Sequence, residues 1–240
     1  VPDSRTHRGP HPEDGRLFAA DQWDRLRGAT GDLCWLLSRG YAAVSASKLV
    51  GDRHELVARQ RTAVGRCAAS DADLARRLAH RRAADSLDGK PLWLDGYNVL
   101  TTVEAALAGG VILVARDGCY RDMASMHGSY RKVAETGPAL KLIGRAVAEL
   151  GVGQCVWLLD RPVSNSGRLK QIIEDVAAAH GWHWRVELVA DPDPILAESD
   201  QIVATADSQI LNISAAWLNL ARHVVEAHVP EANLVDLRQN

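Results

Sequence analysis

From Pro91 onward, short apolar runs alternate with longer segments whose apolar residues recur every three or four positions. Pro91-Leu-Trp-Leu-Asp95, Val111-Ile-Leu-Val-Ala115, Gln154 to Leu159, Trp184 to Ala190 and Ile202 to Ala206 read as strands, with a last one near Leu234 to Leu237. Helices are predicted from about Thr101 to Gly109 and from Pro138, the latter turning Leu140, Ile143, Val147 and Leu150 inward. Another follows Gly167, burying Leu169, Ile172, Ile173 and Val176. The last is a single long helix from Ser208 through Ile213, Trp217, Leu220 and Val224. This alternation predicts an α/β domain, a Rossmann-like, mainly parallel sheet with helices on both faces.

Before Pro91 the periodicity is helical throughout. Residues 1–20 carry Pro2, Gly9, Pro10, Pro12 and Gly15 among charges and read as a flexible tail. One helix is predicted with Asp32 as its cap and Gly40 as its stop, and a short one opens at Ser45 or Ser47. A third spans Arg53 to Cys67, and a fourth, Asp71 to Ala84, buries Leu74 and Leu78. A turn at Leu87-Asp88-Gly89-Lys90 sets the boundary. The expected organisation is a tail (1–20), an all-α basic module (21–88) and an α/β domain (91–240).

Composition narrows the class. With 47% hydrophobic and 24% charged residues, the chain reads as soluble and globular. No run reaches the length of a membrane span and no signal-peptide core opens the chain, so no membrane partner is expected. Cys34, Cys67, Cys119 and Cys155 lie far apart without Cys-x-x-Cys spacing. That argues against structural zinc and a disulfide framework, and suits the cytoplasm. Residues 1–90 hold 16 Lys+Arg against 12 Asp+Glu, whereas residues 91–240 hold 12 against 18. A basic part joined to an acidic one fits a polyanion held by the first and metal ions by the second. Arg53 and Arg61, with Arg59, Arg66, Arg76, Arg77, Arg81 and Arg82, are the candidate phosphate contacts; the plainer reading is a solvated helix face.

The chemistry concentrates where strands end. Asp95, Asp160 and Asp207 each follow an apolar run, and the carboxyl ends of parallel strands are where catalytic groups collect. Asp117, Asp122, Asp193 and Asp200 are candidate supports. Carboxylates clustered without cations repel, and an all-oxygen set points to Mg²⁺ or Mn²⁺ as the relief. After Asp160 comes Ser164-Asn165-Ser166-Gly167 at a helix start, with Arg168 and Lys170 beyond it, a pattern suited to an anion. An ordinary serine-capped loop is the competing reading. The polar segment 123–136 is expected to be functional or mobile.

Asp95-Gly-Tyr-Asn98, the strand ending in Asp160, and Val203-Ala-Thr-Ala-Asp207-Ser208 resemble the PIN-like and NYN nucleases. The whole arrangement is similar to domain of unknown function 434, through Leu37-Ser-Arg-Gly-Tyr41 and Ser47-Lys-Leu-Val-Gly-Asp-Arg53. That resemblance covers about residues 30–240. It implies a PIN-like C-terminal domain that cleaves RNA or another single-stranded nucleic acid with Mg²⁺ or Mn²⁺. It also implies that Asp95, Asp160 and Asp207 are metal ligands and that Asn98 is the first-motif asparagine. The fourth carboxylate stays open among Asp200, Asp117, Asp122 and Asp193. A homodimer is among the expected partnerships. Two other classes compete. A haloacid-dehalogenase-like phosphatase needs a second Asp where Tyr97 stands, and a non-catalytic RNA-binding protein needs no turnover.

Overall fold

The computed structural model describes residues 9–124 and 130–238. Five helices come first: α1 (Asp14–Leu17), α2 (Trp23–Ser38), α3 (Ala43–Arg53), α4 (Ala58–Cys67) and α5 (Asp71–His80). The α/β part follows as β1 (Pro91–Asp95), α6 (Gly96–Leu107), β2 (Val111–Val114), β3 (Tyr120–Asp122), α7 (Thr136–Glu149), β4 (Gln154–Asp160) and α8 (Ser166–His180). It ends with β5 (Trp184–Val189), α9 (Pro192–Ala197), β6 (Ile202–Ala204), α10 (Ser208–Ile213), β7 (Trp217–Leu218), α11 (Leu220–His228) and β8 (Asn233–Asp236).

The main sheet has the order β5-β4-β1-β6-β7, and every pair in it is parallel. Buried parallel strands must be apolar on both sides, which is why these runs hardly alternate. Leu92, Leu94, Cys155, Trp157 and Leu159 pack against α6, α7, α8 and α11 through Leu100, Ile143, Ile173 and Val224. On the other face Val156, Leu158 and Val203 meet Leu196 of α9 and Ile210 of α10.

A second sheet, β3-β2-β8, stands apart. The Val111 run is therefore a strand, but not one of the main sheet, and β8 pairs with β2 in parallel rather than closing a main-sheet edge. Successive side chains of a strand face opposite ways. Val111, Leu113 and Ala115 thus pack on Leu26, Leu33, Val64 and Cys67 of the N-terminal helices. Ile112 and Val114 face Ala105, Ala106 and Val225. The helical region and the second sheet share one core.

Several local expectations are corrected. From Asp14 the chain is not a tail: Asp14 is buried against Arg59, and Leu17 and Phe18 lie in the core. Asp32 does not cap a helix but sits inside α2 and pairs with Arg53 and His54. The helix expected over 53–67 breaks at Glu55, whose φ of 51° is left-handed. The long C-terminal helix breaks as well, because Trp217 and Leu218 pair with β6 as an edge strand. Leu78 is half exposed, and the helix that Asp71 opens behind the cap of Ser70 ends at His80 rather than Ala84. Within the 123–136 segment, residues 125–129 lie outside those described. Tyr130 is buried, and its hydroxyl donates to the buried Glu104 at 2.6 Å.

The arginines expected to meet nucleic acid are mostly used internally. Arg61 donates to Asp52 and to the carbonyls of Leu56 and Lys48, and Arg53 pairs with Asp32. Arg76 and Arg77 hold Asn212 of α10. Arg81 and Arg82 stay exposed. All four cysteines are free and buried, and no described helix is long and apolar enough to cross a membrane.

Candidate functional site

Strand order reverses beside β1: the chain moves outward to β4 and β5, then returns to β6 on the other flank. Asp95 and Asp207 stand at this switch point, where open α/β sheets bind ligands. Two motifs interlock there. Thr205 Oγ1 donates to Asp95 Oδ2 at 2.8 Å and accepts from the Asp207 N–H at 3.0 Å. Asn98 Oδ1 accepts from the Ala206 N–H at 2.9 Å, while the Asn98 N–H reaches Asp95 Oδ1 at 3.4 Å. Asn98 therefore braces the β6 end through its carboxamide. Asp207 caps α10, its Oδ1 accepting from the N–H groups of Gln209 and Ile210.

Gly96 begins α6 with an ordinary negative φ, so no left-handed turn requires it. Its reason is close approach: a Cβ there would lie 2.8 Å from the Leu158 carbonyl oxygen and 2.6 Å from Leu159 Cδ2. Gly96→Ala should push α6 off β4 and cost about 1–3 kcal/mol, as overpacking does. A urea midpoint equal to that of the wild type would refute this.

The electrostatics are those of an uncompensated acidic rim. Burial pushes the Asp95 carboxyl up to about 7; the Thr205 hydrogen bond opposes this, and Asp207 and Asp193 add to it. Asp193, on α9 just beyond β5, is raised by burial and then by Asp207, Asp191 and Asp160. Asp160 is raised by burial and by Asp191. The Tyr97 phenol is raised by burial and by Asp160, and its hydroxyl has no hydrogen-bond partner among the described residues. Of the candidates for a fourth carboxylate, Asp193 is the one whose charge acts on Asp95 and which itself feels Asp207 and Asp160.

The other three are elsewhere or committed. Asp117 is no ligand. It is buried between Arg77 and Arg121, whose guanidinium nitrogens lie 2.7 Å from Oδ2. Burial alone would raise this carboxyl, but the two arginines outweigh it and hold it far below the usual range. Asp200 precedes β6, at the amino end of the strand, so it sits on the opposite rim and is exposed. Asp122 lines the same pocket as Asp95 and Asp207, but it accepts from Thr101, Thr102 and the Ala124 N–H, with Arg66 3.8 Å away.

The expected anion loop is also partly occupied. Ser166 is buried and donates to the Arg161 carbonyl, Asn165 donates to the Tyr130 carbonyl, and Lys170 pairs with Glu174. Ser164 and Arg168 remain exposed. The cations that do line the carboxylate pocket are Arg66 and Arg121. Arg66 belonged to the arginines of the helical part, and only the packing of α4 on β2 brings it here.

Among the described residues, no group of three or more His, Cys, Asp or Glu side chains is placed to hold a metal ion on its own. The donor chemistry nonetheless fits Mg²⁺, which keeps several waters and takes one or two carboxylates. Asp95 and Asp207 supply such a pair of hard oxygens in one pocket, with no ion pair to either among the described residues.

A family described as a domain of unknown function, DUF5616, matches residues 84–223. The chain belongs to this family. A second description, the protein of unknown function DUF434, matches residues 25–80, so the likeness to that family covers the N-terminal helices rather than residues 30–240. Uncharacterized protein MJ0935 of Methanocaldococcus jannaschii is 28% identical over 183 residues, 76% of this chain and 87% of that protein. No solved structure matches the chain. None of these descriptions carries a PIN-like or NYN assignment.

Proposed function

We propose that this DUF5616 chain is a PIN-like, Mg²⁺- or Mn²⁺-dependent ribonuclease that hydrolyses phosphodiester bonds at the Asp95–Asp207 rim. The observation that carries the reading is the buried Asp95 carboxyl at the end of β1, held by the Thr205 hydroxyl and the Asn98 N–H in one pocket with Asp207, and with no ion-pair partner among the described residues. Keeping such a group at a strand end costs stability, and a bound divalent ion removes that cost. When bound, the ion neutralises phosphate charge and makes water more acidic. The chain's own residues supply the rest. Thr205 fixes the Asp95 carboxylate, Asn98 fixes the backbone that carries Asp207, and Asp160 and Asp193 extend the negative rim. Arg66, at the pocket wall, donates to the carbonyls of Asp122 and Ala124 and would have to turn from them to meet a phosphate oxygen.

The test is cleavage of a labelled single-stranded RNA by the purified chain. EDTA should silence it, and Mn²⁺ added in excess should restore it. Binding without cleavage under every metal condition would sink the nuclease reading and leave a non-catalytic RNA-binding protein.

A further inference from the structure

We propose that a second, cationic pocket at the β7 edge binds the sugar-phosphate backbone of single-stranded RNA; the choice of RNA rests on the nuclease reading above. The pocket encloses about 380 Å³ and is lined by Arg81, Arg82, Asn219, Arg222 and His223, with Glu226 as its one carboxylate. Glu226 is already taken, accepting from Arg222 Nε at 2.9 Å and from the Tyr120 hydroxyl at 3.0 Å. Among the described residues, Arg81 and Arg82 therefore face the pocket with no carboxylate partner of their own. Gly118, with a φ of +78°, makes room for two guanidinia: a Cβ there would lie 3.1 Å from Arg222 Nη1 and 3.7 Å from Arg81 Nη1. Like charges gathered in this way are relieved by an anion.

Two independent features mark a ligand rather than a solvated arginine patch. The nine-residue helix α11 starts here, and Asn219 gives it no side-chain cap, which leaves the positive end of the helix to a ligand. Asn219 itself is 95% buried, only 5% of its surface being exposed. Its Nδ2 donates to the Gly118 carbonyl at 2.9 Å, but its Oδ1 has no partner among the described residues. An orphan acceptor beside an anion site calls for a ligand with both a phosphate and a hydroxyl donor. A ribonucleotide backbone offers this through its 2′-hydroxyl, once the flexible arginines rearrange around the phosphate. β7 lies two strands from β1, about 10 Å at the usual spacing, and its carboxyl end lies on the same side of the sheet as Asp95. One strand can thus reach both.

The experiment is fluorescence anisotropy on the full chain in EDTA, with a labelled single-stranded RNA and the DNA of the same sequence, over a salt series. Arg81 and Arg82 are exposed, so R81Q/R82Q should keep the wild-type melting temperature. That variant should bind RNA about tenfold more weakly at 0.1 M salt. Its plot of log affinity against log salt should be shallower by about 1.4, since each single-strand phosphate contact contributes about 0.7. The wild type should prefer RNA to DNA. An unchanged affinity and slope in R81Q/R82Q, or equal affinity of the wild type for RNA and DNA, overturns the proposal. Failure to cleave with Mn²⁺ while these binding results hold would instead remove the nuclease reading alone.

Discussion

Asp117→Ala should lower the unfolding free energy by about 3–5 kcal/mol, the range for breaking a buried ion pair by removing one partner. The side chains of Arg77, Arg121 and Asp117 are 3%, 8% and 1% exposed. Removing the carboxylate leaves two guanidinia facing each other out of reach of water. Since a domain of this kind is stable by about 5–15 kcal/mol, the loss is a large share of the total. The effect should also reach the site, because Arg121 Nε donates to the Ala206 carbonyl, next to Asp207. The sign of the pH dependence follows from the depressed Asp117 carboxyl. Its contribution is fully present above the unfolded value near 4, and is lost only as pH falls far below that. Replacing all three residues with apolar ones of similar volume should recover much of the loss. Urea unfolding measures each step. An Asp117→Ala midpoint within error of the wild type would mean the triad does not stabilise the fold.

How much of this was legible in the sequence depends on whether partners lie near or far along the chain. The strands at Leu92, Val156 and Val203 are readable because a strand buried on both faces must be apolar throughout, and the edge strand at Val186 is readable from its alternation. The helical region before Pro91 was readable from its period. The membership of the Val111 strand was not, since apolar alternation says nothing of which sheet receives it. The edge pairing of Trp217 is hidden in the sequence because Ile213, Trp217, Leu220 and Val224 keep helical spacing, while two residues of edge pairing leave no pattern. Asp117 and Asp95 look alike in sequence, each just past an apolar run. What separates them is a pair of arginines: Arg121, four residues on, and Arg77, forty residues earlier and brought close only by α5. Thr205 was visible within the Thr-x-Asp-Ser motif, but its contact with Asp95, 110 positions away, was not.

The largest effect on chemistry is expected from Asp95→Asn. The amide keeps the shape and can still accept from the Thr205 hydroxyl, but it removes the charge that would draw a divalent ion. RNA cleavage should fall by at least a hundredfold, about 2.7 kcal/mol of lost transition-state stabilisation. The fold should respond in the opposite direction. Between the unfolded value near 4 and the folded value of about 7, the native state holds more protons at Asp95 than the unfolded chain does. The stability of the metal-free wild type therefore declines as pH rises through that window. Asp95→Asn carries no such carboxyl, so at pH 8 without metal it should be the more stable protein, by at most about 4 kcal/mol. Mn²⁺ should raise the melting temperature of the wild type and leave that of the variant unchanged, by mass action on the native state alone. Calorimetry at pH 5 and pH 8, with and without Mn²⁺, separates these effects. A variant that cuts RNA at the wild-type rate, or gains the same stabilisation from Mn²⁺, would show that Asp95 holds no catalytic cation.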